Sequence, residues 1–466
     1  MAQDLQSYVN LIKKELPEKL LEINKIVKPK FEVCALAQKF EDKKEYPTLL
    51  FTNVENLRGE PNNKLVINLT FRDRLALALG LESSKLGMDF IFKLEKLFAH
   101  PIKPIVVSKA NAPVRQVIKK GAEVDLESLP VTTHHEMDGG PYFTMMIVCK
   151  HPEWAGKAAG IHNVAFHRME YKGKKELATL ITPLHTLSVL KSYRERGLKC
   201  PIAVILGHHP LFLMGASARP PMDRSEYDII GGLLREPLKL VESETLGDDF
   251  LVPAEAEIIL EGEISTNEYV TEGPFGEWTG YIGAQCVGYK INVNCMYSRE
   301  NPILVDHFVG HRETHELQGG SRELDLYHRL KEAGCEVKAV HLPSSGCAGF
   351  IAYVQIQKMV EGDQWNAAMA AATTGLPKLI VLVDEDVDIY DDSAVLSAVA
   401  CISQPGIHTQ IIRGLRGSIL DPAMDHPTMH NLLVIDATKP IDHFFPVKAK
   451  IPQEILDRIK IRDYLE

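Results

Sequence analysis

Apolar residues recur at Leu5, Tyr8, Val9 and Ile12, the i, i+3, i+4, i+7 spacing of a helix with one buried face, and Pro17 marks its end. Two short runs, Phe31–Leu36 and Pro47–Phe51, read as strands. A second helical stretch, Arg72–Leu79, completes an α/β layer reaching to about residue 110. The pattern then changes. Met145–Cys149, Leu177–Thr182, Ile202–Leu206, Glu257–Leu260, Lys290–Cys295 and Ile303–Phe308 are apolar runs of strand length separated by turns rich in Gly, Pro and Asp, with a helical insertion at Leu187–Arg196. Dense short strands of this kind predict an antiparallel sheet or barrel. After Gly319-Gly320, helix and strand alternate: Arg322–Ala333 reads as a helix, and Lys378–Val383 as a buried strand leading into Asp384-Glu385-Asp386. The tail Gln453–Leu465 carries Ile455, Leu456 and Ile459 at helical spacing, which predicts a terminal helix lying on another surface such as a second subunit. The class is α/β (α+β), with an N-terminal α/β domain over 1–110, a β-rich ligand domain over 111–315 and a C-terminal α/β domain over 316–466. A chain of 466 residues agrees with three domains at about 150 residues each.

Charge narrows the partners. A formal net charge of −10 and a pI near 6.0 argue against nucleic acid or an anionic membrane, both of which reward clustered Lys and Arg, and favour a small molecule. Eight scattered cysteines without a C-x-x-C pair suit reduced thiols rather than a disulfide framework or a zinc site. The first residues, Met1-Ala2-Gln3-Asp4, lack the charge and apolar core of a secretory signal, and no apolar run approaches the roughly 18 residues of a membrane span. The expected location is cytoplasmic.

The candidate chemistry centres on Thr271-Glu272-Gly273-Pro274-Phe275-Gly276-Glu277-Trp278. Its Gly-Pro-Phe-Gly core fits neither a regular helix nor a central strand, so it is a shaped loop able to aim two carboxylates inward. The alternative is a surface turn with two solvated glutamates. Asn163, His185 and Glu226 offer oxygen and nitrogen donors that suit Mn²⁺ or Mg²⁺ better than a thiolate-seeking metal, although their spacing is no local metal motif. A hydrogen-bonded structural histidine is the plainer reading of His185. Arg168 follows Asn163 by five positions, so on a regular strand the two face opposite sides, and a shared site demands a bend or bulge. An arginine in an apolar strand must be paired or solvated. His134-His135-Glu136 and His208-His209 read as structural, because adjacent strand residues seldom chelate one ion. Gly139-Gly140 and Gly231-Gly232 match neither the dinucleotide fingerprint nor a P-loop, and no G-x-S-x-G elbow occurs.

Taken in order, Asn163-x4-Arg168, His185, Ser225-Glu226-Tyr227 before Gly231-Gly232-Leu233-Leu234-Arg235, Val252-Pro253-Ala254 with Glu257-Ile258, Glu261-Gly262, and Glu272-Gly-Pro-Phe-Gly-Glu277 resemble the UbiD family of prenylated-flavin-dependent reversible decarboxylases. Weaker likeness at Pro47–Val54, Arg72–Gly80, Lys378 before Val383-Asp384-Glu385-Asp386, and Asp436-Ala437-Thr438-Lys439 extends it over nearly the whole chain.

The resemblance implies a flavin-reductase-like split barrel between two α/β domains. It also implies prenylated FMN supplied by a UbiX-like prenyltransferase, a divalent Mn²⁺ (or Mg²⁺) and a K⁺ at the flavin phosphate. Asn163, His185 and Glu226 would hold the divalent ion. Ala165, Phe166, Arg168, Leu184, Ser217 and Lys378 would line the cofactor, Lys378 near its phosphate and Ser217 near the K⁺. Arg168, Glu272 and Glu277 would be catalytic, with Glu277 the proton donor and the other two tuning and orienting it. Losing CO₂ from an sp² carbon leaves a carbanion equivalent that the prenylated flavin accepts as an electron sink, after which an acid must deliver a proton. Ile181, Trp278 and Leu420 would border the substrate. Leu184 and Trp278 depart from cinnamate-type members, which carry a glutamine and a smaller apolar residue there, and Trp278 could form a flat wall for an aromatic ring. The implied reaction is non-oxidative, reversible decarboxylation of an aromatic, heteroaromatic or α,β-unsaturated carboxylic acid by a homodimer or homohexamer. The competing readings are a non-catalytic UbiD-like subunit of a multi-subunit carboxylase and an ordinary FMN enzyme on the same barrel.

Overall fold

The computed structural model describes residues 3–82, 85–156, 161–182, 184–218, 220–426 and 428–465, except for the side chain of Leu184. The first helix spans Leu5–Glu15, capped by Asp4, whose carboxylate accepts from the Ser7 N–H at 2.8 Å. Leu5, Tyr8, Val9 and Ile12 are all buried, and the Tyr8 hydroxyl donates to the Arg74 carbonyl on the predicted helix Arg72–Leu79. Thr48–Val54 is a strand between Leu20–Ile23 and Asn63–Ile67.

Phe31–Leu36 is not a strand. Helix Glu32–Glu41 occupies it, with Val33, Cys34 and Ala37 buried. Val33 and Ala37, four residues apart, fall on one helical face, and so short an apolar run does not by itself separate helix from strand. A second difference concerns Ile303–Phe308, expected among the β-rich strands. Only Ile303–Val305 is extended, and it pairs in parallel with Asn63–Ile67 as the last strand of the N-terminal sheet. All three of its residues are buried, and an apolar run carries no sign of which sheet will cover it.

The central region closes into a six-stranded antiparallel barrel. Its strands run in the order Ile258–Glu272, Cys200–Ile205, Tyr142–Lys150, His162–Gly173, Glu176–Thr179 and Cys286–Ser298, and the last pairs back to the first. Closure removes the exposed edges that an open sheet would present. The register shift at Glu261/Gly262 marks the bend in the longest strand. A Cβ on Gly262 would lie 2.1 Å from the Asn292 carbonyl oxygen, so the close strand approach requires glycine there.

The C-terminal sheet has the order Val337–His341, Ile351–Ile356, Leu379–Val383, Met429–Ala437, Thr409–Arg416, with its three middle strands parallel. The helix expected over Arg322–Ala333 is the second half of Arg312–Glu332, which runs straight through Gly319-Gly320. A Cβ at Gly320 would sit 3.1 Å from the Phe90 ring, so this glycine serves close packing rather than a break. The same helix ties the layers together. Glu313 accepts the backbone N–H groups of Asn68, Leu69 and Thr70 at 2.7–3.1 Å, and Glu323 binds Arg72 at 2.5 Å and His341 at 2.8 Å. Only Gln453–Arg458 of the expected terminal helix is α-helical, and its residues are mostly exposed. Among the described residues, no helix is long and apolar enough to cross a membrane.

Candidate active site

Strand His162–Gly173 brings Arg168 to the mouth of the loop that follows strand Ile258–Glu272. Arg168 gives Nε and Nη2 to the two oxygens of Glu272, at 2.8 and 2.7 Å, and its Nη1 pairs with Glu277. Glu272 is fully buried and Glu277 is 6 % exposed. The Arg168 guanidinium also lies over the Phe275 ring at 5.1 Å, and Phe275 leans on Tyr142 at 4.4 Å. The arginine in the strand is thus paired on two sides and covered on a third. Burial pushes the Glu277 carboxyl above its usual range, against the pull of Arg168, so it keeps a proton more readily than a surface glutamate. That is the property wanted in a general acid.

The loop has almost no slack. Gly139 N–H donates to the Pro274 carbonyl at 2.8 Å, Asp138 accepts the Gly276 N–H at 3.0 Å, and Glu170 accepts the Gly273 N–H at 3.0 Å. Gly283, opposite Phe275 where the two-residue strands Phe275–Gly276 and Ile282–Gly283 pair, sits so close beneath Glu277 that a Cβ would fall 2.5 Å from Glu277 Oε1. His134, expected to be structural, is a buried partner of Asp306 at 2.9 Å beside Phe275. His208 and His209 are buried among Phe212 and Tyr8, with burial lowering the proton affinity of both.

Asn163 and His185 line one cavity, together with Trp154 and Arg224. Asn163 Nδ2 donates to Thr186 Oγ1 at 3.1 Å and to Cys149 Sγ at 3.8 Å, leaving the amide oxygen as its ligand atom. Glu226 is 2 % exposed and accepts the Val164 N–H at 2.9 Å, with no cationic side chain against it among the described residues. Its carboxyl is pushed up to about 8 by burial. A buried carboxylate without a counter-charge is what a divalent cation would satisfy. The thiol of Cys149, raised to about 12 by burial and by Glu226, stays protonated and leaves an oxygen and nitrogen donor set. The residues present therefore fit a hard or borderline divalent ion.

The pairing of Tyr142–Lys150 with His162–Glu170 runs without a register shift, so Asn163 and Arg168 do lie on opposite faces of their strand. Asn163 and His167 both reach Thr186 Oγ1, at 3.1 and 3.2 Å, while Phe166 turns toward His307. Asn163 and the acid cluster lie on opposite sides of the alternation of one strand, and Glu226 is not among the residues lining the cavity of Asn163 and His185.

The remaining expected residues are dispersed. Ala165 and Phe166 are half-buried on that strand, and Ile181 is buried just beyond the barrel strand Glu176–Thr179. Ser217 caps helix Pro210–Ala216, its hydroxyl donating to the Met214 carbonyl at 2.7 Å with Ser321 Oγ 3.5 Å away. Lys378 pairs with Asp421 at 2.9 Å, next to half-buried Leu420, and does not line the Asn163 cavity. Trp278 packs on Phe350 at 4.9 Å and under Arg322 at 4.9 Å, so its ring is held against the C-terminal region. Leu184 has its side chain outside the described residues. Sequence reasoning missed Tyr142, Phe275 and Cys286 around the arginine. Phe275 stood inside the loop motif, but nothing adjacent in sequence marked the other two.

A closed six-stranded antiparallel barrel between two α/β layers carries an Arg–Glu–Glu cluster on the loop that follows its longest strand, the arrangement of an acid–base enzyme. Three family profiles match in register with it: the 3-octaprenyl-4-hydroxybenzoate carboxy-lyase N-terminal domain over residues 13–94, the Rift-related domain over 105–312 and the C-terminal domain over 315–437. The chain belongs to the UbiD family and is a carboxy-lyase of that family. It is 34 % identical to the anhydromevalonate phosphate decarboxylase of Methanosarcina mazei over 94 % of this chain and 97 % of that protein. It is 30 % identical to the phenolic acid decarboxylase of Bacillus subtilis, over 94 % and 93 %. The structure of the UbiD-class enzyme HmfF from Pelotomaculum thermopropionicum, in complex with FMN, superposes with a TM-score of 0.89 at 31 % identity, covering 99 % of this chain and 100 % of that one. An evolved dimeric form of HmfF in complex with prFMN gives 0.86 at 30 % identity, with 100 % of both chains covered.

Proposed function

We propose that this carboxy-lyase carries out reversible, non-oxidative decarboxylation of an aromatic, heteroaromatic or α,β-unsaturated carboxylic acid, using prenylated FMN with a divalent ion, Mn²⁺ or Mg²⁺. The observation that carries the reading is the buried Arg168 shared by Glu272 and Glu277, with Glu277 biased by burial toward its protonated form. In this reading Glu277 delivers the proton to the carbon that has lost CO₂, Arg168 holds the substrate carboxylate and orients the acid, and Glu272 fixes Arg168. When bound, the prenylated flavin supplies the electron sink for the carbanion equivalent. Asn163 Oδ1, His185 and Glu226 would hold the divalent ion, and Ala165, Phe166, Leu184 and Lys378 would flank the flavin. Ser217 would lie near a K⁺ at the flavin phosphate. Ile181, Trp278 and Leu420 border the substrate, and the relatives' names span a phosphorylated acid and phenolic acids.

We further propose the division 1–110, 111–315 and 316–466, and a homodimer or homohexamer. The test is co-expression with a UbiX-like prenyltransferase, followed by a screen of aromatic and α,β-unsaturated acids. Decarboxylation is expected only after co-expression, with unchanged circular dichroism in both preparations. Equal activity without the partner, in a host lacking such an enzyme, defeats the cofactor reading.

A further inference from the structure

Glu272 has more partners than Arg168. It ends strand Ile258–Glu272 and is the register partner of Cys286, the first residue of strand Cys286–Ser298, so the two side chains stand on the same face. The Cys286 thiol donates to Glu272 Oε2 at 3.3 Å. From the barrel strand Tyr142–Lys150, the Tyr142 hydroxyl donates to Glu272 Oε1 at 3.2 Å, with the Pro274 carbonyl a second acceptor at 3.3 Å. With Nε and Nη2 of Arg168, each carboxylate oxygen of Glu272 receives two donors. A carboxylate has about four lone-pair sites, and all of them are taken here. Among the described residues, the Glu277 carboxylate has only its pairing with Nη1 of Arg168.

We propose that Tyr142 and Cys286 are positioning residues that hold Glu272 as the permanent anion of the pair and so leave the single transferable proton to Glu277. The inference rests on the roles proposed above for Arg168, Glu272 and Glu277. Among the described residues, Arg168, Tyr142, Cys286 and, across the arginine, Glu277 face Glu272. The neighbouring carboxylate Glu170 is occupied by Lys172 at 2.6 Å and by the Gly273 N–H at 3.0 Å. Burial and the Glu272 charge push the Cys286 thiol up to about 11, and burial together with Glu272 raises the Tyr142 phenol. Both groups therefore remain donors across the physiological range.

Two measurements test this. In the active enzyme, Tyr142→Phe and Cys286→Ala each remove one donor from a charged acceptor and so weaken the hold on the anion at Glu272. The acid limb of the kcat profile is expected to move up by about one pH unit per donor removed, with KM little changed and Cys286→Ser restoring the wild-type limb. The second measurement needs neither substrate nor flavin. The alkylation rate of Cys286 between pH 8 and 9, followed by peptide-resolved mass spectrometry, is expected to rise roughly tenfold or more in Glu272→Gln, because the thiol loses its anionic neighbour. An unmoved acid limb in both donor variants overturns the inference, as does a Cys286 reactivity indifferent to Glu272→Gln. Altered thiol reactivity in a protein that decarboxylates nothing would instead fault the proposed function and leave the charge assignment standing.

Discussion

Glu272 and Glu277 share Arg168 on unequal terms: Glu272 takes two of its nitrogens in a bidentate pair, and Glu277 takes the third alone. Two carboxylates at one guanidinium cannot be equivalent once one of them is saturated. Glu277→Gln keeps shape and hydrogen bonding but removes the transferable proton, so kcat should fall by about 10²–10⁴ while KM changes little. Glu272→Gln should also disturb Arg168 and raise KM, because a buried cation that loses its bidentate partner rearranges or draws in water. Steady-state kinetics on both variants separates the two roles, and identical kinetic signatures would refute the division.

Gly283 gives a second handle on the same acid. A methyl group there would lie 2.5 Å from Glu277 Oε1 and 3.1 Å from its Cγ, and the residue is not in the left-handed region, so the substitution displaces the side chain rather than the backbone. Gly283→Ala should therefore keep its melting temperature within a few degrees and lose about 10²-fold in kcat, since a shift of roughly 1 Å at a reacting group costs that much. A Gly283→Ala enzyme with wild-type turnover would show that Glu277 does not need its present position.

The oxygen and nitrogen cluster predicts a stability response to metal. If Asn163, His185 and Glu226 close on one divalent ion, adding Mn²⁺ to metal-stripped protein stabilises the folded state, by about 2.7 kcal/mol at a hundredfold excess over Kd. Differential scanning fluorimetry should show that rise in Tm for the wild type and its loss in Glu226→Ala. An equal shift in the variant would move the ion elsewhere.

What the sequence made legible follows the range of the interactions involved. Leu5–Glu15 and Arg72–Leu79 were readable because a period of 3.6 is local. The parity of Asn163 and Arg168 was readable for the same reason, and the unbroken register keeps them apart. Phe31–Leu36 misled because its apolar run suits either element, and Gly319-Gly320 misled because a glycine chosen for packing looks like one chosen for a turn. Closure of the barrel between Ile258–Glu272 and Cys286–Ser298, and the parallel pairing of Ile303–Val305 with Asn63–Ile67, are long-range pairings that no window of sequence contains. Arg168, Glu272 and Glu277 stood out by residue type and motif order. Tyr142 and Cys286 did not, because one arrives from another strand and the other looked like one of eight scattered thiols.

Solvent exchange reaches the proton itself. In the reverse sense of the reaction, the product carbon that would accept CO₂ first gives up its hydrogen, and in D₂O that hydrogen returns as deuterium from the acid that holds it. If Glu277 is that acid, wild-type enzyme should incorporate deuterium at the product carbon that has lost CO₂ and Glu277→Gln should not, whatever its residual binding. The pH dependence has a definite sign. Burial raises the Glu277 carboxyl above its ordinary value, so the protonated form persists to higher pH than for a surface glutamate and is lost as pH climbs through the raised value. Proton delivery should accordingly decline on the alkaline side, at a pH above the usual carboxylate range, and no such limb should remain in Glu277→Gln. Nuclear magnetic resonance of the recovered product reads the site and the extent of exchange for both proteins, and the pH profile of decarboxylation turnover reads the alkaline decline. Undiminished deuterium uptake by Glu277→Gln would transfer the acid role to another group.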